Sequence, residues 1–157
     1  MRTFVPFLLL TGFAFGAPAP VHRDFDKALA AAKKANKPLL VDFFGIWCPP
    51  CNELDELVFS HPAFLEAVKR FVFVKLDADA STSWKAKDRY KVGGYPTVLF
   101  LKPNGDEVER IVGFRPLRDF LQTMERARQR KALTLEQACQ RTEPEHLLRS
   151  VRLRAER

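Results

Sequence analysis

The sequence predicts an α/β fold in which helices cover both faces of a mixed β-sheet. Short apolar runs typical of buried strands alternate with segments of helical periodicity, as in parallel βαβ units with right-handed crossovers. The turn sequence KPNGD, residues 102–106, then predicts a hairpin that adds an antiparallel edge. A length of 157 residues, with 46% hydrophobic residues and 14 phenylalanines, is enough for one domain with a substantial core.

The predicted order is helix, strand, helix, strand, helix, strand, strand and helix. The first helix carries apolar residues at helical spacing and is closed by Pro38. The predicted helical segments cover 23–38, 51–58, 62–70, 82–92 and 115–133, and the predicted strands cover 38–44, 71–79, 96–101 and 107–114. We expect Trp84 to be a core residue.

The first residues have the layout of a secretory signal peptide. Arg2 precedes an apolar run over 4–15, small residues follow, and the run is too short to span a bilayer comfortably. An uncleaved anchor is the alternative. We predict a signal peptide over 1–16, an α/β domain over 17–125 without a membrane span, and a basic helical extension over 126–157. Export, to a bacterial periplasm or as a secreted protein, would place the cysteines in an oxidising compartment.

The formal net charge is +7, and much of it lies near the C-terminus. From Arg115 to the end there are 11 Lys/Arg and 6 Asp/Glu. This pattern indicates a solvated basic surface or one that meets an acidic partner or an anionic membrane. No aromatic-interleaved basic run or zinc-finger spacing points to nucleic acid, so we expect no nucleic-acid partner. Cys139, left over as an odd cysteine, is interpreted as a buried thiol or as part of an intermolecular or regulatory disulfide.

Cys48 and Cys51 form a CxxC pair directly after a predicted strand. A structural zinc site would need a second ligand pair, which the chain lacks, so we expect no metal and no cofactor. A two-thiolate copper site and an inert disulfide stay open as alternatives. A CxxC pair beside a βαβ pattern favours a redox couple.

Four segments, in order, resemble the thioredoxin superfamily. VDFFGIWCPPC is similar to its active-site segment, FVKLDAD to its central strand, GGYPT to its cis-proline loop and IVGF to a later strand that ends in glycine. The resemblance runs from about residue 21 to 124. It implies a thioredoxin fold and a thiol-disulfide oxidoreductase acting on disulfide-containing proteins.

A closer resemblance is to the C-terminal thioredoxin-like domain of the thiol:disulfide interchange protein DsbD. It rests on the segment CNELDELVFSHPAF, with Asp55, Val58-Phe59 and the helix start at HPAF. The chain lacks the many apolar spans of a full-length DsbD. The resemblance therefore implies a stand-alone relative that receives electrons from a separate membrane or soluble thiol donor.

The residues around the pair suggest a division of roles. Cys48, at a strand–helix junction, is predicted to be the exposed attacking thiolate, because a helix N-terminus lowers the pKa of a thiol. Cys51, one turn further, is predicted to be buried and to resolve the mixed disulfide. Asp42, inside an apolar strand, is predicted to be buried near Cys51 with a raised pKa and to accept its proton. The resemblance makes Asp55 a second acid and aligns Lys75 near the buried acid. A solvated acid and a surface lysine are the alternatives.

The resemblance also implies a substrate-docking surface. Tyr95-Pro96 is predicted to be a cis peptide beside the disulfide, where the Tyr95 backbone pairs with a substrate in the manner of a strand. Trp47 is predicted to pack beside the disulfide and shape this surface, with a core position as the alternative.

Pro49 and Pro50 predict the direction of electron transfer. Neither has a backbone N–H, so fewer donors face the Cys48 thiolate, and Asp42 and Asp55 add negative charge. A poorly stabilised thiolate makes a couple more reducing, which favours a reductase. A cytochrome-maturation or oxidase/isomerase role, and a non-enzymatic binding or copper-handling module, are the alternative functions.

Overall fold

The computed structural model describes residues 20–131. The strands are β1 (Val21–His22), β2 (Leu39–Phe44), β3 (Val72–Asp77), β4 (Thr97–Leu101) and β5 (Glu107–Val112). The helices are α1 (Phe25–Ala35), α2 (Pro49–Leu54), a π-helix (Asp55–Phe59), α3 (Pro62–Val68), α4 (Ser81–Tyr90) and α5 (Leu117–Lys131). The predicted signal peptide, Cys139 and the extension beyond residue 131 lie outside the described residues. The boundary predicted at residue 125 falls within α5 and stays a prediction.

The five strands form one mixed sheet in the order β1-β3-β2-β4-β5, and this confirms the predicted fold class. β3 pairs in parallel with β1 and β2, whereas β4 pairs antiparallel with β2 and β5. Every strand of the predicted set is present. Among the helices of residues 20–131, none combines the length and the apolar character needed to cross a bilayer.

The direction of β4 corrects one detail of the prediction, since a helix between strands was taken to imply parallel pairing. The chain leaves β3 at the end of the sheet where the Ala78 N–H donates to the Phe44 carbonyl. It re-enters at the same end, because Thr97 of β4 stands opposite Phe43 of β2. α4 therefore does not carry the chain back along the sheet, and β4 runs antiparallel to β2.

β1 is a strand that the sequence did not predict. It has only two residues, Val21 and His22, which stand opposite Phe73 and Val74 of β3. Two residues cannot display an alternating pattern, so periodicity gives no indication of this strand. Its pairing covers part of the outer edge of β3.

The core has two layers, one on each face of the sheet. α1 and α4 cover one face with Leu29, alanines, Phe25 and Tyr90. On the other face, the ring of Phe59 lies 4.8 to 5.6 Å, between centroids, from the rings of Phe64, Phe73 and Phe120. Edge-on ring contacts of this kind stabilise a core beyond the area that they bury. The phenylalanine-rich layer also supplies one wall of the site described next.

Trp84 is not a core residue, and the prediction for it is wrong. The buried residues of α4 are Ser83, Ala86 and Tyr90, which lie along one stripe of the helix. Trp84 lies outside this stripe, and 56% of its surface is exposed. The short helix buries small residues and one tyrosine, so it has no inward position for the indole.

Candidate active site

Cys48 and Cys51 are joined by a disulfide where β2 gives way to α2. Cys48 is the N-cap residue of α2, and the two Cα atoms are 5.3 Å apart. Pro49 and Pro50 occupy the first helical positions, which suit proline because the N–H groups there have no partner within the helix. The first two amides of the helix that carry a hydrogen, those of Cys51 and Asn52, both donate to the Cys48 carbonyl.

The two cysteines are equally buried, each only 3% exposed. The burial of Cys51 was predicted. The predicted exposure of Cys48 is wrong for this disulfide-bonded state. In this state its Sγ is bonded to the equally buried Cys51.

Asp42 is 1% exposed in the middle of β2, which confirms its predicted burial. Its Oδ2 lies 3.5 Å from Lys75 Nζ, and its Oδ1 has no hydrogen-bond partner among the described residues. Burial raises the pKa of Asp42 to about 7, although the charge of Lys75 opposes the rise. The Asp55 carboxylate adds to it. Near neutral pH this carboxyl is therefore able both to accept and to release a proton.

Lys75 lies between the two acids and is largely buried. Its side chain is only 11% exposed, which rules out the surface alternative. Lys75 stands directly opposite Asp42 in the parallel pairing of β2 and β3. Its ammonium also donates to Asp55 Oδ1, and it lies 4.9 Å and 5.1 Å from the ring centroids of Phe44 and Phe59.

Asp55 begins the π-helix, and its side chain is 43% exposed. The ion pair with Lys75 rules out the alternative of a purely solvated acid. The structure thus brings Asp42, Lys75 and Asp55 together as one cluster, and Asp55 directly follows the helix that carries Cys51. The influence of Asp55 on the cysteines stays a prediction.

The Tyr95-Pro96 peptide bond is cis, as predicted. The turn before β4 is further held by the Thr97 hydroxyl, which donates to the Gly94 carbonyl over 2.7 Å. The Tyr95 ring meets the Trp47 ring edge-on, with centroids 5.8 Å apart. The cis-proline loop and the cysteine segment are therefore in contact.

Trp47 is 58% exposed, so the core alternative is wrong. Its indole Nε1–H donates to Asp79 Oδ2 over 2.6 Å, which fixes the ring against the loop after β3. Gly45 makes room for it, since a Cβ at this position would lie 2.8 Å from the indole. Neither Asp79 nor Gly45 was predicted as a site residue. The only available indication for Asp79 was its place as the last residue of the predicted strand over 71–79.

Comparison with known proteins agrees with this geometry. The family described as "Thioredoxin-like domain" matches residues 25–128. The chain belongs to the thioredoxin-like family. A thioredoxin H-type of Oryza sativa subsp. indica is 37% identical over 95 residues, which cover 59% of this chain and 70% of that protein.

Relatives named DsbD share the same region. The thiol:disulfide interchange protein DsbD of Vibrio vulnificus is 31% identical over 107 residues, covering 66% of this chain but 18% of that protein. The chain thus spans under a fifth of that relative. A crystal structure of the Neisseria meningitidis DsbD C-terminal domain in the reduced form superposes with a TM-score of 0.59 at 25% identity, covering 66% of this chain and 93% of that chain. The predicted resemblance and the enzyme class, a thiol-disulfide oxidoreductase, are confirmed.

Proposed function

We propose that this protein is an exported thiol-disulfide oxidoreductase that reduces or exchanges disulfides in extracytoplasmic proteins. The observation that carries the proposal is the Cys48–Cys51 disulfide at the start of α2, which follows the strand that holds the buried Asp42 and adjoins Trp47, whose ring contacts Tyr95 of the cis-proline loop. A structural staple would require neither a buried acid of raised pKa in the preceding strand nor an exposed tryptophan ring next to Cys48.

The reaction is a two-electron exchange between dithiol and disulfide. In the reduced protein, the Cys48 thiolate attacks one sulfur of a substrate disulfide, and the other substrate sulfur leaves as a thiolate that solvent protonates. Cys51 then gives its proton to the Asp42 carboxylate and attacks Cys48 Sγ. The mixed disulfide breaks, the second substrate thiolate leaves, and the Cys48–Cys51 disulfide remains. A membrane or soluble dithiol donor restores the reduced protein by the same steps in reverse and is itself oxidised.

The surface around the disulfide suits an extended substrate segment. Trp47 and Tyr95 offer aromatic rings, and the backbone before Pro96 is held in the cis turn. A main-chain segment next to the substrate disulfide would pair with the Tyr95 backbone in the manner of an added strand. Lys87, whose Nζ lies 5.4 Å from the Tyr95 ring centroid, borders this surface with a positive charge.

The direction of transfer that the site favours is reductive. The side chain of Cys48 makes no capping hydrogen bond at α2, and the Cys51 and Asn52 amides are taken by a backbone carbonyl. A Cys48 thiolate therefore gains little from the helix start, so the reduced form is less stabilised. Equilibration with glutathione tests this. A potential near ~−270 mV, as in thioredoxin, supports a reductase, and one near ~−120 mV, as in DsbA, contradicts it.

Export is proposed from the signal-peptide pattern of residues 1–16. Relatives named DsbD in several bacteria support a periplasmic site of action. The test is to express the full chain and a variant lacking residues 2–16 in a bacterium and to fractionate the cells. We expect the full chain in the periplasmic fraction, shortened at its N-terminus, and the truncated variant in the cytoplasm. Full-length protein in the cytoplasm would contradict export.

Turnover itself is tested by reduction of insulin with dithiothreitol as the electron source. We expect catalysis by the native chain. Copper binding without turnover would instead favour the copper-handling alternative.

A further inference from the structure

The π-helix brings two of its residues onto one lysine. Its defining hydrogen bond joins the Ser60 N–H to the Asp55 carbonyl over 3.0 Å. Asp55 at its first position forms the ion pair with Lys75, and the ring of Phe59 at its last position faces the same ammonium. A π-turn inside a helix often marks a functional site, and here it supplies both a charge and an aromatic face to one group.

The ammonium is shared unequally between the two carboxylates. Lys75 Nζ donates directly to Asp55 Oδ1, whereas its distance to Asp42 Oδ2 is 3.5 Å. Asp42 Oδ1 has no hydrogen-bond partner in the described chain. A lysine fully committed to Asp42 would hold that carboxyl in its ionised form.

We propose that the π-helix clamps Lys75 between Asp55 and Phe59 and so holds the ammonium partly away from Asp42, which leaves Asp42 free to exchange the proton of Cys51. Asp55 and Phe59 are positioning residues in this scheme, because they act through Lys75 and not on the substrate. The inference rests on the proposed function only where it concerns the transfer of the Cys51 proton during turnover. The clamp itself is a property of the resting protein.

The charged groups that act on Asp42 are few. Lys75 on β3 and Arg23 before α1 favour its ionised form, and Asp55 on the π-helix disfavours it. From β4, the residue opposite Asp42 is Val98, which carries no charge. A change at Asp55 therefore reaches Asp42 in two ways, directly through its own charge and indirectly by releasing Lys75.

A double-mutant cycle separates these two routes. The readout is the ¹³C NMR titration of the Asp42 carboxyl in the oxidised protein, which requires no substrate. We expect Asp55→Asn to lower the titration midpoint of Asp42 by about 1 pH unit, since the freed ammonium moves to the remaining acid. In a Lys75→Met background the same substitution should lower the midpoint by less than half as much. Glu56→Gln, an equal charge change on an exposed neighbour in the π-helix, is the matched control and should leave it unchanged.

Equal shifts in the two backgrounds would overturn the clamp, because Asp55 would then act only by its own charge. No shift on Asp55→Asn would overturn it as well. If Lys75→Met fails to fold, Phe59→Leu takes its place. Phe59→Leu keeps every charge and removes the aromatic ring that faces the ammonium. It should also lower the titration midpoint of Asp42, and an unchanged midpoint would count against the proposal. Insulin reduction by the native chain is measured separately. Failure of the clamp would change the Asp42 titration results, whereas failure of the proposed function would appear as an absence of insulin reduction.

Discussion

The residues grouped here as the inner and the outer side of the Cys48–Cys51 disulfide differ in chemistry and in the elements that hold them. The inner side is Asp42, Lys75 and Asp55, a charged cluster fixed by strand register and by the π-helix. The outer side is Trp47, Tyr95, Pro96 and Asp79, an aromatic surface fixed by loops. On the inner side Asp42 is buried, Lys75 is largely buried and Asp55 is half-exposed, whereas Trp47 of the outer side is exposed and Tyr95 is half-buried. The proposed mechanism thus assigns proton transfer to the sheet and substrate docking to loop segments, which can differ without disturbing the core.

The largest effect should come from the disulfide that separates the two sides. Cys48→Ser removes the attacking sulfur, and we expect insulin reduction to fall to the uncatalysed rate. Cys51→Ala should also stop turnover but should accumulate a mixed disulfide with substrate, seen as a mass increase that dithiothreitol reverses. Trapping by the Cys48→Ser variant and not by Cys51→Ala would reverse the assigned roles.

Loss of Asp42 should slow the resolution of the mixed disulfide by Cys51 without weakening substrate binding. Asp42→Asn removes the proton acceptor for Cys51, and we expect the decay of the mixed disulfide to slow by about 10² to 10⁴-fold at neutral pH. Rapid-mixing kinetics from pH 5 to 9 would check this, and the native rate should rise with a midpoint near the Asp42 pKa of about 7. Glu56→Gln is the control. A native profile that persists in Asp42→Asn would assign the proton to another group.

The inner side should also impose a pH dependence on stability. The pKa of Asp42 rises from 3.8 to about 7 on folding, so the folded protein holds a proton that the unfolded chain releases. The free energy of unfolding should therefore fall as pH rises through this window, by on the order of 4 kcal/mol at most. Denaturant unfolding of the oxidised protein at several pH values measures the slope. Asp42→Asn should reduce the dependence of the free energy of unfolding on pH. A dependence equal to that of the native protein would contradict its assignment to Asp42.

Changes on the outer side should act on binding. Trp47→Ala removes an exposed ring beside Tyr95, and we expect KM for a protein substrate to rise roughly 10-fold, as for loss of a moderate interface anchor. The redox potential and the Asp42 titration should not move. Trp84→Ala is a matched control, because this tryptophan is 56% exposed compared with 58% for Trp47. An equal rise in KM in both variants would mean that the effect is not specific to the surface around the disulfide.

The smallest effect should come from the hydrogen bond that holds this ring. Asp79→Asn weakens the acceptor for the Trp47 indole N–H, and we expect KM to rise only about two- to five-fold, as for one hydrogen bond near the surface. The fluorescence of Trp47, read in a Trp84→Phe background, would report the looser ring. A larger rise in KM than in Trp47→Ala would show that Asp79 contacts the substrate itself.

The inner side was easier to predict from the sequence than the outer side. An acid inside the apolar run LLVDFF can only be buried, so Asp42 followed from the strand pattern. Lys75 depends on strand register that periodicity does not supply, and the resemblance alone pointed to it. Asp55 lies four residues after Cys51, which places both on one helix face, and the resemblance made it a second acid. On the outer side, the exposure of Trp47 depends on the Asp79 hydrogen bond and the space at Gly45, and both are tertiary contacts. The direction of β4 was missed for a similar reason, because it depends on where the chain re-enters the sheet.

The pairing of Asp42 with Lys75 has a consequence for the reliability of folding. Side chains alternate between the two faces of a strand, so a one-residue slip of β3 against β2 would turn Lys75 to the opposite face. Its ammonium would then enter the apolar layer formed by α1 and α4, and Asp42 would face a valine or leucine of β3. The pair to which the proton chemistry is assigned by proposal thus also penalises the wrong register. A chain that pairs these two strands one residue out of register would therefore bury an unpaired charge and lose stability.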